Sequence, residues 1–488
     1  MPSASTATRQ VRTLQRFAAL LLACAALACV YIAPAARVTA QQQQQGRRAA
    51  QRASKSGPPA AASPEQSALL EEAARFIRAG DYGGAIPLLE RAAKGSQQRA
   101  AETPPVDLAV LLALANAYGQ VGRDRDMTAL AERIEQLAKD DARVVFTLAL
   151  ALAEARQYDR AVRLFERTNT LRPQTFEVLY NLGVALYNLD RLDEAARALQ
   201  SAATLRPDSA ETFYRLGLVA SARRDSEAAL GLWQQALKLR ADYPEANFMI
   251  AEELSKNKRT ERAIEFYRRS VEQDERNPLY HIRLGAAYTR RRNYSEARAA
   301  FERASALFPD SAEAHYLVGF AARAQGLYDD ARQAFETSLK LQPDNADALA
   351  NLGFISGERG NAAEAETFLR RALALDAEQY PAHYDLGRLL VRLKRYDEAV
   401  PLLERGARLN QTDPGIHYQL FTAYTRLKRR DDAERELALF KQLEEARKRR
   451  EDEGERPVAA DGSPVAAPSA PNSISEQPAQ QKKPPAPL

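Results

Sequence analysis

Apolar and small residues recur along this chain on a fixed spacing. From residue 108 to about 440, an apolar residue followed by a small one returns every 34 residues. The pairs are Leu114-Ala115, Leu148-Ala149, Leu182-Gly183, Leu216-Gly217, Ile250-Ala251, Leu284-Gly285, Val318-Gly319, Leu352-Gly353 and Leu386-Gly387, and Leu420-Phe421 keeps the register without the small residue. Alanine follows twelve residues after the small position, at Ala161, Ala195, Ala229, Ala263, Ala297, Ala331, Ala365, Ala399 and Ala433. Four residues further comes a large apolar group, at Phe165, Leu199, Trp233, Tyr267, Phe301, Phe335, Leu369, Leu403 and Leu437. Two antiparallel helices approach closely only where each offers a small side chain, and a large neighbour fills the space beside the contact. Each period therefore predicts a pair of packed helices.

An earlier unit is visible at Ala73, Phe76, Ala85, Leu89 and Ala92, set off by an insertion around residues 95–105, which makes eleven units. Met127 stands where the alanine belongs in the next unit, so the second helix there is the weakest prediction. Prolines mark eight junctions, at Pro173, Pro207, Pro244, Pro278, Pro309, Pro343, Pro381 and Pro414, because proline begins or ends a helix but disrupts its interior. Asp208, Asp310 and Asp344 follow their prolines and are expected to cap the next helix. Pro87 and Pro401 fall early in second helices, where a missing amide donor costs little.

This pattern resembles the tetratricopeptide-repeat family, whose units carry an apolar-small pair in the first helix and an alanine-aromatic pair in the second. The resemblance covers about three quarters of the chain and, with the N-terminal segment described below, is to exported, bacterial-type members. It implies an all-α fold: a right-handed α-solenoid of about eleven helical hairpins. It also implies that first helices line a concave groove that holds extended peptide or protein, with no catalysis. The division expected is a leader at 1–40, a low-complexity linker at 41–66, a first unit with its insertion at 67–107, the array with a capping helix at 108–450, and a Pro/Ala-rich tail at 451–488.

The formal charge of +5 changes little. Setting aside Arg9, Arg12, Arg16 and Arg37 of the leader leaves 65 basic residues against 64 acidic ones, interspersed, with none of the clustering a nucleic-acid binder needs. Residues 1–40 have an arginine-bearing start, an apolar run from Phe17 to Ile32 and a small-residue site at Val38-Thr39-Ala40, which reads as a secretory signal cleaved after Ala40. Two other readings fit the same segment: an uncleaved membrane anchor over residues 17–36, and a lipoprotein acylated at Cys24 within Leu21-Leu22-Ala23-Cys24. All three place the body outside the cytoplasm, in the periplasm or cell envelope. Cys24 and Cys29 are both in this segment, so the body has neither a disulfide framework nor a thiol metal site.

Once the 34-residue frame is assigned, no block is left for a catalytic domain, and the chain has no phosphate-cradling glycine loop, nucleophile elbow or zinc-protease helix. No cofactor is expected. His281, His315, His383 and His417 share one position of the unit, and packed helices stand ~10 Å apart, too far for neighbours to share a zinc ion. They read as core residues. Glu252-Glu253 and Asp329-Asp330 read as solvated helix faces.

Immediately after the histidine position come Phe146, Tyr180, Tyr214, Phe248, Ile282, Tyr316, Ala350, Tyr384 and Tyr418, of which seven are aromatic. In the family this position usually faces the groove, where such rings suit an extended peptide. Packing between neighbouring first helices is the competing reading, and one ring can do both. Farther along the same helices Asn188 offers an amide and Lys256, Arg290, Arg323, Arg392 and Arg426 positive charge to the same face, with solvated surface as the competing reading. Members that clamp a chaperone's terminal carboxylate have lysine and asparagine where this chain has Tyr180 and Val184, or Tyr214 and Leu218. That clamp is absent. The alternative to a groove-binding scaffold is a spacer or assembly subunit of an envelope export, polysaccharide or pilus system.

The exported chain is expected to begin at Gln41 when its intact mass is measured. A species that keeps residues 17–36 or starts at an acylated Cys24 contradicts cleavage.

Overall fold

The computed structural model describes residues 64–97 and 105–452. The expected leader, nearly all of the linker and the tail beyond residue 452 lie outside the described residues. All regular elements described are helices, and they divide between two units that meet between Arg240 and Ala241.

The first unit holds five hairpins: α1 (Pro64–Arg78) with α2 (Tyr82–Gln97), α3 (Pro105–Gln120) with α4 (Asp124–Ala138), α5 (Ala142–Glu154) with α6 (Tyr158–Leu171), α7 (Phe176–Asn188) with α8 (Leu192–Leu205), and α9 (Ala210–Ala222) with α10 (Ser226–Leu239). The second holds six: α11 (Pro244–Lys256) with α12 (Thr260–Gln273), α13 (Pro278–Arg290) with α14 (Tyr294–Leu307), α15 (Ala312–Ala324) with α16 (Tyr328–Leu341), α17 (Ala346–Glu358) with α18 (Ala362–Leu375), α19 (Tyr380–Arg392) with α20 (Tyr396–Leu409), and α21 (Pro414–Arg426) with α22 (Arg430–Asp452). In each unit a helix packs on its hairpin partner and on the helix that follows, which is the α-solenoid arrangement.

The small-large pairing lies where the sequence places it. Trp233 is 0% exposed, and a Cβ added to Gly217 would lie 2.3 Å from its Nε1. The same crossing recurs at Gly183 against Leu199 and Gly285 against Phe301, each with a gap of 2.5 Å. Trp233 also donates Nε1–H to the Tyr214 carbonyl at 3.1 Å, so its one polar atom is satisfied in the core. Met127 does not break the pattern. It is 0% exposed, and Gly119 on the facing helix supplies the room that alanine provides elsewhere.

Every hairpin turns through one residue with positive φ. Glycine holds it at Gly80, Gly122, Gly326 and Gly360, but Arg156, Asp190, Arg224, Lys258, Arg292, Lys394 and Lys428 hold it in the other seven. The turn imposes the left-handed conformation at a position where six of the seven are basic and lie at a helix C-terminus, where the helix dipole favours a cation.

Two sequence expectations need correction. The caps are one residue later than expected: Ser209, Ser311 and Asn345 accept from the amides of Thr212, Ala314 and Ala348. Pro207, Pro309 and Pro343, each with its aspartate, occupy the turn itself, so the following residue takes the capping position. Pro87 and Pro401 are each the sixth residue of their helix, past the first turn, so each removes a backbone hydrogen bond.

Gly231 sits mid-helix with nothing within 4 Å of an added Cβ. Gly231→Ala is expected to stabilise the chain by up to about 1 kcal/mol, the helix-propensity gain. Gly217→Ala gains the same propensity but overpacks Trp233, a cost of ~1–3 kcal/mol. Chemical denaturation should therefore move the two midpoints in opposite directions, and parallel shifts would contradict the packing account.

Candidate functional site

Successive first helices touch one another directly, as α3 does α5, α5 does α7, α17 does α19, and α19 does α21. Much of the aromatic ladder, three residues before the small position of each unit, is absorbed in packing against its own hairpin's second helix or the next first helix. Phe146 lies 5.8 Å from Phe165, Tyr316 5.6 Å from Phe335, and Phe248 4.9 Å from Tyr280 and 5.9 Å from Tyr267. Phe248 is 9% exposed and Tyr384 4%, so these two cannot offer contact area to a partner. For them the packing reading holds. Tyr180 and Tyr214 are partly buried, and Tyr418 alone of the seven is open, at 48% exposure, flanked by Phe421 and Phe440.

In the first unit the seam carries a polar chain. The Tyr180 hydroxyl is 3.2 Å from Glu211 Oε1 and accepts from Arg215 Nε at 3.3 Å, while Arg215 also pairs with Glu211 at 3.1 Å. Burial pushes the Tyr180 hydroxyl up to about 12, so it stays protonated and can donate to the carboxylate. Asn188 Nδ2 donates to the Val184 carbonyl of its own helix.

The second unit holds the densest cluster, on α15, α17 and α19. Phe354 has Arg323 over its ring at 4.7 Å and Arg388 at 5.6 Å. Arg388 pairs with Glu358 at 2.9 Å and Asp385 at 3.3 Å, and Arg392 donates to the Gly357 carbonyl at 3.0 Å. Gly357 keeps the seam open where a longer side chain would meet Arg392. Phe354, Gly357, Asp385, Arg388 and Arg392 close together here around a gap with no room for a water molecule. Asp385 has 12% of its side chain exposed, and burial lifts its carboxyl to about 6, against the opposing pull of Arg388, Arg323 and Arg392.

The sequence reading singled out Arg323 and Arg392 but missed Phe354, Asp385, Glu358 and Arg388. Their signal was the helical spacing: Asp385 and Arg388 stand one and four residues after Tyr384, on the same side of α19. Arg290, also anticipated, donates to the Ser255 hydroxyl of α11.

The histidines tie helices to turns. Nε2 of His281, His315 and His383 lies 2.9–3.0 Å from the carbonyls of Glu275, Pro309 and Ala377, each six residues earlier. His417 differs, its Nδ1 standing 2.6 Å from Glu436 on α22. Among the described residues, no helix is long and apolar enough to cross a membrane.

Asp385 gives this cluster a pH signature. Its folded-state value of about 6 lies above the ordinary carboxylate range near 4, so charging it costs stability. The cost is absent below about pH 4 and complete above about pH 6. Asp385→Asn removes it: the variant's advantage over the native chain in thermal melts should grow from pH 4 to pH 7, reaching on the order of 3 kcal/mol. A pH-independent difference would contradict the burial of a charged Asp385.

Sequence models described as the tetratricopeptide repeat match residues 146–210, 214–278, 282–346, 319–380 and 358–417. No curated protein sequence matches the chain significantly. Among solved structures, the C-terminal part of a TPR repeat-containing protein from Cytophaga hutchinsonii is similar at 17% identity and a TM-score of 0.45, over 49% of this chain and 99% of that one. YrrB, described as a TPR protein with an unusual peptide-binding site, is similar at 20% identity and a TM-score of 0.34, over 38% of this chain and 95% of its own. Yeast Tom70 is similar at 15% identity and a TM-score of 0.34, over 75% and 96%. The sequence models carry the assignment: their matches take in more than half of the 488 residues, the hairpins they cover are present in both units, and the chain belongs to the tetratricopeptide-repeat family.

Proposed function

We propose that this chain is a non-catalytic scaffold that holds extended peptide or protein partners along its first-helix faces, outside the cytoplasm. One observation carries this reading. On α15, α17 and α19 an aromatic ring, Phe354, sits between two arginines beside Gly357, and the 34-residue packing frame does not require these groups. An aromatic with flanking guanidinium groups can take apolar side chains and peptide carbonyls together. The three-part segment at residues 1–40 supports export.

Second-helix faces look different. Several of their arginines are tied up in ladders between hairpins, such as Arg298 with Asp330, Arg332 with Glu364, and Arg370 with Glu398. A spacer or assembly subunit would use those faces or the terminal segments instead.

A photo-crosslinking residue placed at Phe354 or Tyr418, compared with one at the exposed second-helix positions Gln333 or Lys340, separates the two readings. In envelope extract the first-helix positions are expected to capture defined proteins and the second-helix positions none. Capture confined to Gln333 and Lys340 would move the spacer reading ahead.

A further inference from the structure

The first helices of the second unit end in cations. Lys256, Arg290, Arg323, Arg392 and Arg426 occupy the last turns of five of its six first helices. A helix dipole favours a cation at that end. The dipole alone is an insufficient cause, because four of the first unit's five first helices, α3, α5, α7 and α9, have no basic residue in that turn.

Most of these cations also lack a carboxylate partner. Lys256 reaches Glu253, but Arg290, Arg323, Arg392 and Arg426 have no carboxylate within ion-pair distance among the described residues. Arg290 has a hydroxyl, Arg392 a backbone carbonyl, and Arg323 the face of Phe354. Arg323 Nε is buried without a hydrogen-bond partner. A guanidinium stacked on a ring keeps its N–H edge available for a carboxylate. On the second helices of the same unit pairing is mixed: Arg298, Arg332 and Arg370 reach carboxylates, while Arg262, Arg268, Arg303 and Arg408 have none within ion-pair distance among the described residues.

Resting on the scaffold reading above, we infer that the first-helix face of the second unit docks an extended segment of a separate protein that carries acidic side chains at regular spacing, met by Arg290, Arg323, Arg392 and Arg426. Packed helices stand ~10 Å apart, and an extended chain rises ~3.3 Å per residue. One helix step therefore spans about three residues. Glu358 occupies the corresponding turn of α17, so the row skips one step between Arg323 and Arg392. The favoured segment has Asp or Glu every third residue with one interruption, and apolar groups between them for Phe354 and Tyr418.

The test uses residues 41–488 and two labelled synthetic peptides, one with Glu at every third position in an Ala/Leu background and one with Gln in its place, measured by fluorescence anisotropy at low salt. The Glu peptide is expected to bind at least about tenfold tighter, as charge-assisted bonds to several arginines predict. The preference should collapse in Arg323→Gln with Arg392→Gln and persist in the second-helix control Arg298→Gln with Arg370→Gln. Equal binding of both peptides overturns the inference and leaves the scaffold intact. Binding of neither also overturns it, and the scaffold then rests on the crosslinking comparison.

Discussion

Everything in this chain depends on one contact, the crossing of a small residue on a first helix with a large one on its partner. At Gly217 and Trp233 the approach is too close for even a methyl group, and the alanines at the matching second-helix position, from Ala161 to Ala399, are fully buried. Close-packed interiors tolerate neither a void nor an added methylene cheaply. The contact is local to one hairpin, so the fold is assembled by repetition and each hairpin completes its core against its neighbours.

That division frees surface. The core consumes the apolar-small frame, while other positions of the first helices face neighbouring first helices. In the first unit they hold the Tyr180, Glu211 and Arg215 chain, and in the second the Phe354 cluster. Burial within the seam lifts both the Tyr180 hydroxyl and the Asp385 carboxyl, so polar groups there are held by geometry that the packing frame sets.

The fold was legible because its determinant repeats without insertion and each occurrence reinforces the last. The capping aspartates were misplaced by one residue, since proline signals a junction but does not say which residue after it first leaves the turn. The aromatic ladder was half legible. The spacing placed the rings on the first helices, but whether a ring packs or opens depends on what the next hairpin offers: Tyr280 closes over Phe248, whereas Tyr418 on the last hairpin stays open. The cross-hairpin pairs were harder still. Arg298 with Asp330 and Arg332 with Glu364 are each 32 residues apart, and only the folded stack brings them together.

The central claim is that recognition belongs to the first helices and not to the second. Hydrogen exchange on residues 41–488, free and bound to a crosslink-identified partner, tests it most directly. The account predicts slowed exchange on α13, α15, α17, α19 and α21 with little change on α14, α16, α18 and α20; protection confined to the second helices would contradict it.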